Sequence, residues 1–192
     1  YPKGGLARRC QKVLNDLSLT NPSSLLQCQL VDMKLKKRVP ISRLKAIVGL
    51  NSFGSLLWPN KFDAKVPVPV FLSGGTLDLI TPPHNEQLRL MLSTPEHKPS
   101  RVVLIKGASH FSAVRVESKK GSEYEDDLFK LGKELVGNQP LLVQRLLGKE
   151  IATFLKDVEE DKVLKNSSHK QIGDLRIHIL NRKSVEALIE LQ

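Results

Sequence analysis

Aromatic residues make up only 5% of this 192-residue chain, and cysteine occurs just twice, as Cys10 and Cys28. Two cysteines are too few for the dense disulfide framework of a small secreted domain, and they do not form a C-x-x-C pair. The five histidines do not gather at metal-ligand spacing, which excludes the common zinc arrangements. No apolar run approaches the ~20 residues that span a bilayer. Tyr1-Pro2-Lys3-Gly4-Gly5 lacks the apolar stretch of a secretory leader. Neither G-x-G-x-x-G nor a P-loop occurs, so the common dinucleotide and nucleotide cradles are excluded. G-x-S-x-G, the nucleophile elbow of serine hydrolases, is missing too. There is no internal repeat and no low-complexity tract. Because residue 1 is not methionine, the chain reads as cut from something longer. The lack of a leader therefore leaves the compartment open between cytoplasm and export.

What the chain does have is charge, a net +10. A strong basic balance points either to a polyanionic partner or to a solvated surface. The cations are scattered, apart from Lys34-Leu35-Lys36-Lys37-Arg38 and Lys119-Lys120, and no aromatics are interleaved for stacking on bases. We therefore expect no nucleic-acid partner and no membrane span. Cys10 and Cys28 either bridge two adjacent helices, which suits an oxidising compartment, or remain two buried thiols.

Apolar spacing predicts the elements. Leu6, Cys10, Val13, Leu14 and Leu17 share a helical face. Asn21 reads as an N-cap with Pro22 at the first helical position, and Leu25, Leu26 and Leu30 continue a second short helix. Leu44 to Leu50, Val66 to Leu72 and Val102 to Ile105 are runs without alternation, as in strands of a parallel sheet buried on both faces. Between the second and third runs, Thr81 reads as the N-cap of a helix carrying Leu88, Met91 and Leu92. A helix with Leu128, Leu131 and Leu135 is expected next. After Pro140 comes one with Leu142, Leu146, Leu147, Ile151, Phe154 and Leu155. Lys156 to Lys170 reads as a charged linker. Leu175, Ile177 and Ile179 alternate with Arg176 and His178, a half-exposed strand; Val185, Leu188 and Ile189 form a closing helix. The fold class is α/β.

Two residues stand where α/β sheets carry chemistry, beyond the carboxyl ends of strands. Asp78 follows Ser73-Gly74-Gly75-Thr76-Leu77, and His110 follows Gly107-Ala108-Ser109. Each alone also reads as an ordinary turn residue. Together, on successive strands, they have the types and order of two members of a Ser-His-Asp relay. A neutral imidazole takes a proton from a hydroxyl, and a carboxylate fixes its tautomer. Gly74-Gly75 and Gly107 permit tight exits with positive φ. Ser52, in Gly49-Leu50-Asn51-Ser52-Phe53-Gly54, has the wrong spacing for a nucleophile elbow, so it reads as a loop residue facing the site. Phe53, Trp58 and Phe111 are candidates for an apolar substrate wall, or for core.

Residues 6 to 115 resemble the C-terminal half of an α/β-hydrolase. The resemblance is to bacterial predicted dienelactone hydrolases and platelet-activating-factor acetylhydrolase-like esterases. It is carried by Arg9-Cys10, Leu25 to Cys28, Lys45 to Asn51, Leu72 to Pro83 and Val103 to Ser112. It implies Asp78 as acid, His110 as general base, no cofactor and no metal, and a small-molecule ester as substrate. It also implies a serine on a missing N-terminal half, acting as the partner that completes the site. Residues 1–40 would be a helical cap segment, 41–155 the C-terminal part of the hydrolase core, and 156–192 a charged linker with a strand–helix extension. The alternative is a non-catalytic binding module on the same fold. Half a sheet would leave the strand near Lys45 to Asn51 unpaired, inviting dimerisation or aggregation.

Overall fold

A computed structural model describes residues 3–16, 22–33, 42–57, 66–113, 137 and 139–190. Its frame is a mixed five-stranded sheet with helices on both faces, an α/β architecture. The three apolar runs become β1 (Ile47–Leu50), β2 (Val70–Gly75) and β3 (Arg101–Lys106), which pair parallel in sequence order. Pro67 and Pro69 have no N–H to give a ladder, so β2 begins only at Val70. β2 and the first half of β3 are buried, as continuous apolar strands covered by helices should be.

β1 departs from the expected double-sided burial. It is the sheet edge, and Ile47, Val48 and Leu50 are exposed, Val48 by 41%. The missing alternation of an apolar run predicts strand type, but it cannot tell a central strand from an edge that leaves both faces open.

The segment read as a charged linker is regular structure at both ends, with turns and irregular chain over 160–167 between them. The helix after Pro140, here α4 (Pro140–Glu159), runs four residues into it, and β4 (Ser168–Ile172) begins inside it. β4 turns through Gly173, at φ 58, into β5 (Leu175–Leu180). β5 pairs antiparallel with β3, so this hairpin completes the main sheet in the order β1-β2-β3-β5-β4. Charge density reported a solvated edge strand, not a flexible tether. The alternation in β5 is as expected, with Leu175, Ile177 and Ile179 buried. The closing helix, α5 (Arg182–Glu190), is capped by Asn181, whose side-chain oxygen accepts from the Ser184 N–H at 2.9 Å.

Two apolar layers hold these elements. On one face α4 places Val143, Leu146, Leu147 and Phe154 against Phe71, Val103, Ile105, Ile177 and Ile179. That spacing puts one helical stripe on the sheet, and it leaves Leu155, expected inside, exposed. On the other face Leu88, Met91 and Val185 cover Val70, Leu72, Val102 and Leu180. Each such side chain contributes about 1.5–3 kcal/mol by leaving water. Arg101 is buried in the first layer; its guanidinium meets Asp157 at 2.5 Å and lies 5.5 Å from the Phe154 ring centre.

At the N-terminal side, α1 (Lys3–Asn15) and α2 (Pro22–Cys28) are joined by a Cys10–Cys28 disulfide with Cα atoms 5.5 Å apart. This settles the alternative left by the sequence in favour of the bridge. α2 itself is inside out. Ser23, Ser24 and Gln27 are buried, whereas Leu25 and Leu26, the expected inner face, are 38% and 39% exposed. Asn21, Leu17, Trp58 and the helix expected at Leu128 to Leu135 lie outside the described residues.

Candidate functional site

β2 and β3 are adjacent and parallel, so the turns that follow them meet beyond their carboxyl ends. The first turn is closed by the Asp78 N–H donating to the Gly75 carbonyl at 3.1 Å. Asp78 is 2% exposed. Its Oδ1 accepts the backbone N–H groups of Ile80 and Thr81 at 3.0 and 2.7 Å, an Asx-type turn that fixes the carboxylate. Oδ2 accepts the Thr81 hydroxyl at 2.8 Å.

The second turn leaves β3 through Gly107 at φ 87, as its glycine predicts. Gly75 is needed for another reason than positive φ, which it lacks. A Cβ there would sit 2.2 Å from the Ala108 carbonyl oxygen, so the two strand ends approach only because residue 75 has no side chain. The Leu77 N–H donates to that same oxygen at 2.9 Å. The Ser109 N–H donates to Ser112 Oγ at 2.8 Å and tightens the turn further.

This geometry brings His110 onto Asp78. Nδ1 lies 2.9 Å from Oδ2 and 3.1 Å from Oδ1. An ionised carboxylate only accepts, so the hydrogen of this contact sits on Nδ1; in a neutral imidazole that leaves the lone pair on Nε2. No described residue hydrogen-bonds Nε2, and the His110 side chain is 23% exposed against 0% for Asp78. The pair thus joins a buried, fully hydrogen-bonded carboxylate to an imidazole whose second nitrogen has no partner among the described residues. Phe111 stands edge-on to the imidazole, ring centres 5.0 Å apart.

Three predicted neighbours fare differently. Ser52 is not paired with His110; its Oγ is buried without a hydrogen-bond partner. Phe53 is exposed, and Trp58 lies outside the described residues. Thr81 does not cap a helix. Residues 83–86 are turn and α3 spans only Gln87–Met91, so the Thr81 hydroxyl serves Asp78 and lies 3.1 Å from His110 Nδ1.

No protein-family model, no curated protein and no solved structure matches this chain. The site must therefore be read from its own atoms. Among the described residues no three His, Cys, Asp or Glu side chains gather to hold a metal, and no helix is long and apolar enough to cross a membrane.

Two contributors were missed in the sequence. Asn51, at φ 47 directly after β1, donates from Nδ2 to the His110 carbonyl. Glu86, fully buried, accepts five hydrogen bonds from α2 and residues 54–55. Asparagine at a strand end is a signal for a left-handed residue, and it could have been read. Nothing in the spacing marks Glu86.

Proposed function

We propose that this chain is the acid- and histidine-bearing part of a serine-type ester hydrolase built on an α/β-hydrolase sheet. The observation that carries the reading is the 2.9 Å contact between His110 Nδ1 and a buried, fully hydrogen-bonded Asp78, with Nε2 left open. Three parallel strands in sequence order, with the acid after the second and the histidine after the third, support it.

In the complete enzyme a serine from the missing N-terminal half meets Nε2. His110 takes the hydroxyl proton as the oxygen attacks the ester carbonyl, and Asp78 stabilises the imidazolium that forms. His110 then protonates the departing alkoxide. Water, deprotonated by the same nitrogen, releases the acyl group. The substrate is a small-molecule ester and no cofactor takes part. His110 is tied to Asn51 at the end of β1, which supports a base that works on the β1 side of the sheet. A further parallel strand at that edge would deliver the serine beside it.

The test uses the chain with and without its upstream sequence. We expect the chain alone to leave an activated ester such as p-nitrophenyl acetate at the buffer rate, because losing a triad nucleophile costs about six powers of ten. The extended protein should turn the ester over and take up a fluorophosphonate on one serine. Fast turnover by the chain alone would refute the division of labour.

One observation favours a second reading, a non-catalytic binding module. Among the described residues no hydroxyl or thiol pairs with Nε2. An upstream segment that takes up no fluorophosphonate would decide for that module.

A further inference from the structure

The loop from Asn51 to Leu57 follows the edge strand, and its backbone has almost no ladder to satisfy it. Only the Asn51 N–H continues the sheet, donating to the Ser73 carbonyl at 2.9 Å. Side chains from three helical segments do the rest. The Gly54 and Ser55 N–H groups donate to Glu86 Oε2 at 2.8 and 3.0 Å. The Leu56 and Leu57 N–H groups donate to Gln27 Oε1 at 2.8 and 3.3 Å. Gln87 Nε2 holds the Ser52 carbonyl at 2.6 Å, and Arg9 Nε holds that of Leu56 at 2.6 Å.

Glu86 is the hub of this arrangement. Besides the two backbone donors, its Oε1 accepts Ser23 Oγ, Gln27 Nε2 at 3.1 Å and Ser55 Oγ at 2.8 Å. A fully buried carboxylate with five donors is held in one place, and it holds them. The need to face it also explains why α2 turns its polar side inward. At the far end of the same loop, Asn51 grips the carbonyl of His110.

We propose that Glu86 is a positioning residue: by clamping loop 51–57 it fixes Asn51, and through Asn51 the orientation of the His110 imidazole on Asp78. The inference deepens the hydrolase reading and rests on the same dyad. It needs no ester for its test.

The experiment is proton exchange at His110 Nδ1, followed by NMR in the full chain, with amide exchange of Ile80 and Thr81 as an internal standard. In Glu86→Gln the carboxamide turns an NH2 toward donors, so the clamp opens. Nδ1 exchange should accelerate about tenfold while Ile80 and Thr81, bound to Asp78, keep their rates. Ser55→Ala removes the hydroxyl that donates to the Glu86 carboxylate and accepts from Gln27 Nε2 at 3.4 Å, and it is expected to fold even if Glu86→Gln does not. It should accelerate exchange about fivefold, less than Glu86→Gln, because Glu86 keeps its other four donors. Unchanged Nδ1 exchange in Ser55→Ala or in folded Glu86→Gln would overturn the proposal and leave Glu86 as an anchor for α2 alone. Equal acceleration at Ile80, Thr81 and Nδ1 would overturn it too, since that is general loosening. If exchange responds as expected but the extended protein hydrolyses no ester, the hydrolase reading fails and the positioning role stands.

Discussion

Asn51 donates a hydrogen bond to the backbone carbonyl of His110 although the two lie 59 positions apart and follow strands that are not neighbours. The bond crosses over the end of β2 and ties the histidine turn to the sheet edge. Asn51 sits at φ 47, a left-handed conformation that asparagine tolerates better than most residues. Asn51→Gly keeps that conformation and loses the amide. Its urea midpoint should therefore fall modestly, by about 1 kcal/mol for one hydrogen bond. Asn51→Ala should lose about 1–2 kcal/mol more, because alanine pays for the positive φ. Equal midpoints for the two variants would show that the backbone there carries no such cost.

Asp78 holds its own turn together as well as meeting His110. Asp78→Ala leaves the N–H groups of Ile80 and Thr81 without their acceptor and the Nδ1–H of His110 with only the Thr81 hydroxyl at 3.1 Å. Donors left unpaired cost about 1–3 kcal/mol each when buried, so a loss of about 2 kcal/mol or more in urea unfolding is expected at unchanged m-value. A loss under about 1 kcal/mol would mean that the turn rearranges to find other partners.

How much of this was legible beforehand divides along physical lines. Apolar runs predicted the three parallel strands and alternation predicted β5; in β2, β3 and β5 burial writes itself into side-chain type, whereas β1 is apolar yet exposed. Glycine and strand-end position pointed to Asp78 and His110. The inverted α2 was not legible. Leu25 and Leu26 announce an inner face, but the face is chosen by a carboxylate 59 residues beyond Gln27 that no local pattern reveals. The linker reading failed for the opposite reason. Lys170 is charged, yet it is ordered on β4, where it pairs with the buried Glu150 at 2.9 Å. Thr81 looked like a helix cap because the same hydroxyl that caps a helix also serves a carboxylate turn.

The disulfide should act locally. In α1 only Cys10 is buried among the described side chains, so the bridge and the Arg9 bond to Leu56 are its main anchors. Closing a loop of this length stabilises by about 3 kcal/mol in the chain-entropy account. Reduction, or Cys10→Ser, should speed amide exchange across residues 6–14 and leave β2 and β3 protected. A matching loss of protection in β3 would show instead that α1 is integral to the core.

The His178 imidazole is held below its ordinary value of 6.5. Burial is the largest cause, followed by the positive neighbours His169, Arg176 and Lys106. His178 and His169 are cross-strand partners with ring centres 6.3 Å apart. A histidine with a lowered folded pKa is easier to protonate in the unfolded chain. Its effect is absent above 6.5, and stability falls as pH drops through 6.5 toward the lowered value. Unfolding midpoints measured between pH 8 and 5 should show this decline, and His178→Gln should flatten it. An identical pH profile in the variant would remove His178 as the cause.

The open edge makes its own forecast. Ile47, Val48 and Leu50 present apolar side chains on a strand with no partner on its outer side among the described residues. Such edges pair with other chains. The chain alone should therefore self-associate in sedimentation velocity as concentration rises, and Val48→Lys should return it toward monomer. A chain that stays monomeric at high concentration without the lysine would contradict this.

The closeness of Gly75 to Ala108 has a further consequence. The gap between the two turns is set by a methyl group that is not there. Saturation mutagenesis should find position 75 as intolerant as position 78, although it bears no side chain to titrate or to form a hydrogen bond. The spacing of Asp78 and His110 is thus written in a third residue, whose contribution is its lack of volume.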